Sequence, residues 1–515
     1  SFAGRISRFK RTFERSFIFG SSFITDNVKR EVLLADLLKN VEVTEVRGSI
    51  SVAISGIVTD SRKVQPGSLF VAVRGTQTDG HAYLGQAQEL GAAAFVVENL
   101  PGETADDCVY IVVPDSSVAL GRISASFYDD PSGKLKLIGV TGTNGKTSVV
   151  TFLFQLFRNL GHRCGMISTV QNQIEDEVIP STHTTPEAIV LQELLARMAD
   201  EGCSYVFMEV SSHAVVQRRI EGLKFAGAVF TNITHDHLDF HGTFDHYIAA
   251  KKAFFDGLTK DSFALINADD RRGSVMVQNT KARIYAYSMR NITDFRARIL
   301  TATLQGMQLL INDKDVWVRL IGAFNVSNLL AVYGTALLLG EDEETVLTEL
   351  SGLLPPPGRF EVVHDGKKDI TAIVDYAHTP DALENVLSTI AQLRTHNEKV
   401  ITVVGCGGNR DTTKRPKMAA IACKYSNLAV FTSDNSRNED PEAIIEQMKA
   451  GVAPIDYKKT KTIVDRREAI RWAVAQAEKG DIILVAGKGH ETYQEANGVR
   501  HHFDDREEVR AAFEF

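Results

Sequence analysis

Gly139-Val-Thr-Gly-Thr-Asn-Gly-Lys-Thr147 decides how this 515-residue chain is read. Before it, Lys136-Leu-Ile-Gly-Val140 reads as a short buried strand. After it, Val149, Phe152, Leu153, Leu156, Phe157 and Leu160 recur at helical spacing, so a glycine-rich turn joins strand to helix. Such a turn offers backbone N–H groups and the positive end of a helix to an anion. Lys146 is placed to reach terminal phosphates and the Thr147 hydroxyl to ligate magnesium. The spacing departs from the commonest phosphate loop: Val140 stands where a glycine is expected five places before Gly145, and Gly142 sits closer in. A glycine-rich turn can also be purely structural. The coincidence of strand, Gly-Lys-Thr and helix favours a nucleotide site, with Gly142, Thr143, Asn144, Gly145, Lys146 and Thr147 as its contacts.

Length points to about three domains. With 24% charged and 44% hydrophobic residues the composition is that of an ordinary globular protein. A net charge of −8 and the lack of a long basic block in the body argue against nucleic acid as a partner. Five scattered cysteines without a C-x-x-C pair fit reduced thiols in a cytoplasmic setting. No apolar run reaches the roughly 18 residues of a membrane span. Residues 1–30 differ from the rest: they carry net +5 and place Phe2, Ile6, Phe9, Phe13 and Phe17 at helical spacing. An added extension, a transit-peptide remnant and a surface or partner-docking helix all fit that pattern.

From about residue 31 to 133 the chain reads as a small α/β domain. Ala53 to Val58 and Ser68 to Val73 read as strands, with Asp60-Ser-Arg62 and Arg74 to His81 as polar loops at strand ends. Such loops bind ligands in small α/β domains, although Asp-Ser-Arg could equally be a turn.

The segment 134–353 alternates apolar runs with helical patterns, which predicts a mainly parallel sheet wrapped by helices. It carries a hydroxyl-rich loop, His183-Thr-Thr-Pro186, and an apolar strand ending in Glu209, followed by Ser211, His213, Gln217 and Arg219. A carboxylate at a strand end beside a phosphate loop is placed to hold magnesium. Thr231 to Gly242 packs three histidines and two aspartates into a short run, which could be read as a zinc site. The neighbouring phosphate loop and Glu209 favour magnesium with oxygen ligands instead. Lys251 lies on a helical stretch, where a solvated lysine is the plain reading.

Leu354-Pro-Pro-Pro-Gly358 reads as a stiff linker into a third domain, 354–515. Asp375, at the end of a strand, is placed for a ribose or phosphate-side contact of a nucleotide. Three further strands, Val400–Val404, Leu428–Thr432 and Ile482–Ala486, each deliver a polar loop: Gly405 to Asp411, Ser433 to Arg437 and Gly487 to Glu491. Parallel strands would bring these loops to one edge facing one ligand.

The motifs G-V-T-G-T-N-G-K-T, H-T-T-P, M-E-V-S-S-H, T-N-I-T-H-D-H-L-D-F-H-G-T and A-A-K occur in one order and spacing. Through them, residues 31–515 resemble the Mur ligase family, the ATP-dependent amino-acid-adding enzymes of peptidoglycan synthesis. The resemblance implies an α/β, three-domain architecture with a central phosphate-loop sheet and a Rossmann-like C-terminal domain.

It also implies roles for particular residues. Thr59, Ser61, Thr76, Gln77 and Thr78 match the uridine-nucleotide loops. His183, Thr184, Thr185, Ser211, Gln217 and Arg219 match positions that hold the muramoyl peptide. Glu209 and His237 match magnesium positions, beside the Thr147 hydroxyl of the phosphate loop, and Lys251 a lysine carried as a carbamate. Asn325 belongs to an adenine-side motif; apart from the resemblance, Arg359 and Asp375 are candidate nucleotide contacts and His213 a candidate proton acceptor. Arg410, Asp434, Asn435, Ser436, Arg437, Gly487 and Glu491 match the amino-acid site.

In the resembling family a D-N-P-R loop accompanies addition of meso-diaminopimelate, whose second carboxylate an arginine fork can bind. This chain has Ser436 in place of that proline. The implied reaction is ATP-driven amide formation through an acyl phosphate, with small-molecule substrates, by a cytoplasmic monomer. Addition of L-lysine or another diamino acid, a folylpolyglutamate-type ligase and a noncatalytic subunit of a larger assembly are the alternatives.

Overall fold

The computed structural model describes residues 30–75, 78–102, 108–181, 183–234, 238–395 and 397–514. The helix expected within 1–30, and the candidate contacts Thr76, Gln77 and His237, lie outside the described residues. The chain divides into two compact units, one ending at Ser116 and the other covering Ser117–Phe515.

The first unit holds a five-stranded sheet in the order Glu45–Arg47, Val109–Val112, Ala94–Val97, Ser68–Val71, Gly56–Val58. Its last four strands are parallel and the first pairs antiparallel. Ala53 to Val58, expected as one strand, splits at Ser55. Ala53–Ile54 pairs with Val32–Leu33, whereas Gly56–Val58 joins the sheet.

In the second unit an eleven-stranded sheet is built around the strand Lys136–Thr141. Parallel neighbours run Cys164–Ile167, Tyr205–Glu209, Lys136–Thr141, Phe225–Phe230, Phe263–Asn267 and Arg283–Ser288. Antiparallel strands extend both edges. The central strands are apolar along their whole length because both faces are covered. One face packs on the phosphate-loop helix Lys146–Asn159 and on Ala323–Leu338. The other packs on Ala188–Asp200 and Phe244–Asp256.

Chain order and strand order part company around Lys136–Thr141, since Cys164–Ile167 lies two places away and Tyr205–Glu209 returns between them. Crevices open at such switch points, at the carboxyl ends of the strands. A second sheet, of six strands, orders Glu361–Asp365, Ile370–Asp375, Ile482–Ala486, Val400–Val404, Leu428–Phe431 and Thr460–Thr462, all parallel but the first. It too carries a core on each face. The α/β class and the phosphate-loop and Rossmann-like sheets therefore stand as expected. Among the described residues no helix is long and apolar enough to cross a membrane.

Candidate active site

The turn after Thr141 owes its shape to two glycines. Gly142 has φ +150°, and a Cβ there would lie 1.9 Å from the Thr231 hydroxyl. Gly145, at φ +88°, caps the following helix, and its Cβ would meet the Asn328 side-chain oxygen at 2.5 Å. Both sites exclude a side chain, so the backbone can stand close to a ligand. Asn232 Oδ1 accepts from Asn144 N at 2.9 Å, fixing the turn to the next strand's loop. Lys146 Nζ donates to Gly142 O at 2.9 Å and Thr143 O at 3.0 Å. Lys251 Nζ also donates to Gly142 O, at 3.0 Å. It is 1% exposed and lies 4.7 Å from the Tyr247 ring centre. The helical pattern did not reveal that burial: Lys251 is no solvated lysine.

Thr147 Oγ1 donates to Glu209 Oε1 at 2.8 Å. Thr169, which the motifs did not single out, donates its N–H to Oε1 at 2.8 Å and its hydroxyl to Oε2 at 3.1 Å. That hydroxyl also reaches Thr184 Oγ1 at 3.0 Å. A hydroxyl and a buried carboxylate side by side at strand ends make an oxygen donor set that fits magnesium. An unmodified Lys251 amine adds no oxygen ligand to it.

From Glu209 the bonding continues through the adjoining segment: Thr185 Oγ1 donates to Glu209 O at 2.8 Å and accepts from Ser211 N at 3.1 Å. Arg219 donates to Thr185 O at 2.7 Å and pairs with Glu187 at 2.7 Å. Thr184, Thr185, Ser211 and Arg219 thus gather around Glu209, whereas His183 is exposed. The His213 ring lies 4.1 Å from that of Phe240 and 5.7 Å from that of His241.

Several groups from the linker and the second sheet meet the phosphate loop. Arg359 reaches Thr147 Oγ1 at 3.5 Å and stacks 4.5 Å from the Tyr376 ring centre. Asp375 accepts from Phe360 N and Ala377 N, both at 2.7 Å, and burial pushes its carboxyl upward against the pull of Arg359 and those N–H groups. Asn144 Nδ2 donates to Asp381 at 3.0 Å, a contact missed because nothing local marks Asp381. Asn325 donates to Ile321 O and accepts from Asn328, the residue facing Gly145. Burial, with Arg359 and Arg506 nearby, holds His490 down at about 3, so this imidazole is neutral near pH 7.

The three polar loops of the second sheet do share one edge. Asn435 Nδ2 donates to Glu491 at 2.9 Å. Lys488, fully buried, donates to Asn435 Oδ1 at 3.1 Å and Glu491 at 3.3 Å and lies 3.8 Å from Asp434. Burial and the Asp434 charge raise Glu491. Burial would also raise Asp434, but Lys488 and Arg466 outweigh it and hold that carboxyl below its usual range. A Cβ on Gly487 would lie 2.6 Å from Asp434. Arg437, at φ 52°, donates to Gly408 O at 2.8 Å; Ser436 is buried and Arg410 exposed. Lys488 sits inside the loop Gly487 to Glu491, yet only the fold shows it fully buried among carboxylates.

In the first unit, Asp60 caps the short turn Ser61–Lys63 and pairs with Arg62 at 2.9 and 2.8 Å. Ser61 donates to Gln86 at 2.7 Å, whereas Thr59 and Thr78 are exposed. Asp60-Ser-Arg62 therefore builds its own turn and leaves the neighbouring threonines open.

A phosphate-loop sheet with a hydroxyl–carboxylate pair is thus joined to a second sheet with a charged loop cluster. The chain belongs to the Mur ligase family: residues 53–128 match the Mur ligase family catalytic domain, 140–336 the Mur ligase middle domain and 358–489 the Mur ligase glutamate ligase domain.

Within it, the chain is 57% identical over 474 residues to the UDP-N-acetylmuramoyl-L-alanyl-D-glutamate–2,6-diaminopimelate ligase of Cytophaga hutchinsonii, covering 92% of this chain and 97% of that protein. It is 55% identical over 480 residues to the ligase of the same name from Phocaeicola vulgatus, covering 93% and 99%. A solved structure of such a ligase superposes with a TM-score of 0.68 at 34% identity, covering 94% of this chain and 99% of that one.

Proposed function

We infer that this protein is an ATP-dependent amide ligase that adds meso-diaminopimelate to UDP-N-acetylmuramoyl-L-alanyl-D-glutamate in peptidoglycan precursor synthesis. The observation that carries the reading is the Thr147–Glu209 pair at 2.8 Å beside the phosphate loop, in a chain so close to named ligases of that reaction.

A carboxylate oxygen of the D-glutamate attacks the γ-phosphorus of ATP, and the bond to the bridging oxygen breaks to release ADP. The amine of the amino acid then adds to the acyl carbon, and phosphate leaves with the carbon–oxygen electron pair. Carboxylates are poor electrophiles, and the phosphoryl group supplies the leaving group. Lys146 offsets charge on the transferring group, and the loop N–H groups hold the neighbouring phosphates. Glu491 and Asp434 take the ammonium of the amino acid, Arg410 and Arg437 its carboxylates, and His213 accepts the proton the amine sheds.

Thr147, Glu209, His237 and a carbamylated Lys251 would hold magnesium, which supplies further positive charge at the phosphates. Carbamylation joins the Lys251 nitrogen to carbon dioxide and, from the ammonium form, releases two protons, so that a positive group becomes a negative one. Its near-complete burial against Gly142 supports that role. Uridine binding falls to 31–133, with Thr59, Ser61, Thr76, Gln77 and Thr78, ATP to 134–353 and the amino acid to 354–515. The enzyme acts as a cytoplasmic monomer.

The test is phosphate release by the purified protein. It should require ATP, the muramoyl dipeptide nucleotide and meso-diaminopimelate together. Release that ignores the amino acid, or no release with all three, would overturn the reading.

A further inference from the structure

Two loops of the second sheet hold left-handed backbone at residues other than glycine: Asn409 and Arg437, each at φ 52°. Such conformations persist where surrounding groups fix them. The Arg437 backbone is held by Glu495 O and Asn497 N, and the segments on either side of Asn409 and Arg437 are tied together by Arg415, in the first turn of the helix Lys414–Tyr425, whose side chain is fully buried. Its guanidinium donates to Glu439 Oε2 at 2.9 Å and Oε1 at 3.0 Å, to Gln447 Oε1 at 2.7 Å and to Gly407 O at 3.1 Å. Glu439 in turn accepts from Asn409 N at 2.5 Å.

The two turns are laced together by Gly408 N donating to Asn435 O at 2.8 Å and Asn438 N donating to Asn409 Oδ1 at 3.1 Å. A Cβ on Gly408 would fall 1.9 Å from Ser436 O, so the turns touch backbone to backbone. The Arg415 fork holds Glu439 below its ordinary range, keeping it a carboxylate acceptor.

We propose that the Arg415–Glu439 pair is a positioning device for amino-acid specificity, setting where Arg410 and Arg437 stand relative to the incoming second carboxylate. The proposal rests on the amino-acid reading above. Neither residue needs to touch the substrate. A bidentate fork fixes direction as well as distance, so its loss would let both arginine-bearing turns drift together. Recognition of the distal carboxylate would suffer, while ATP binding, which uses other loops, would not.

Glu439→Gln keeps size and removes the charge that orders the fork. It should raise KM for meso-diaminopimelate about tenfold and cut the preference over L-lysine about tenfold, with KM for ATP and the muramoyl nucleotide within about twofold. Arg415→Lys should move the same quantities in the same direction. Unchanged KM and preference in Glu439→Gln would overturn the proposal. So would an equal rise in all three KM values with a lowered melting temperature, which marks a merely structural role. Should the unaltered protein use another amino acid, the substrate reading falls, and the KM of Glu439→Gln for that amino acid still decides the positioning role.

Discussion

The phosphate loop and the loop cluster proposed to take the amino acid are built in opposite ways. Nine consecutive residues make the first, and its glycines let bare backbone and one helix end approach the ligand. The second is assembled from loops about thirty to fifty residues apart, joined by side chains such as Asn435, Lys488 and Glu491. A backbone site is hard to alter without losing ligand binding altogether. A side-chain site can be retuned for a different ligand one residue at a time. Chemistry common to many ligases is thus suited to the first region and choice of amino acid to the second.

Substitutions at the phosphate site should therefore act on turnover whatever the amino acid. The largest effect is expected for Lys251→Ala: a loss on the order of a thousandfold, about 4 kcal/mol, partly restored by acetate or formate supplying the missing anion. Full activity in that variant, with a plain amine by mass spectrometry of the gently handled protein, would refute the carbamate. Lys146→Ala should reduce kcat by a hundredfold or more, about 3 kcal/mol of transition-state stabilisation, while circular dichroism stays that of the unaltered protein. Ligation at an undiminished rate would remove Lys146 from the chemistry.

In the amino-acid pocket, Gly408→Ala should raise KM for the amino acid about tenfold and leave KM for ATP alone, because the new methyl must push Ser436 O aside. Equal changes in both constants would mean that the two regions are not separable.

The last effect concerns pH and bears on stability, not on turnover. His490 stays neutral in the folded protein down to about 3, whereas the unfolded chain takes up a proton below about 6.5. The stability this group contributes is fully present above about pH 6.5 and declines as the pH falls toward 3, by at most about 1.4 kcal/mol per unit. His490→Gln should flatten that part of the melting curve between pH 7 and 5. Parallel curves would show that His490 is not held neutral.

The contrast between the regions also explains what could be read before the fold was known. A contiguous motif carries its geometry with it, so the strand, turn and helix at Lys136 to Asn159 were legible, as was Glu209 at a strand end. Apolar strands buried on both faces announced the two parallel sheets. Lys488 and Arg415 could not be read in the same way, because a lysine or arginine has the same local pattern whether solvated or buried among carboxylates. Asp381 touches Asn144 only because the second sheet's first long helix points at the phosphate loop. Thr169 serves Glu209 from a loop with no motif of its own. Asp60-Ser-Arg62, open to two readings in sequence, proved to spend its charges on its own turn.

The most direct measurement of the central claim is the ratio of kcat/KM for meso-diaminopimelate to that for L-lysine, in the unaltered protein and in Arg437→Ala. An arginine fork that binds a carboxylate should disfavour the lysine ammonium by about a hundredfold, requiring only roughly 3 kcal/mol, and Arg437→Ala should erase most of that ratio. Equal or better use of L-lysine by the unaltered protein, or a ratio that Arg437→Ala leaves untouched, would contradict it.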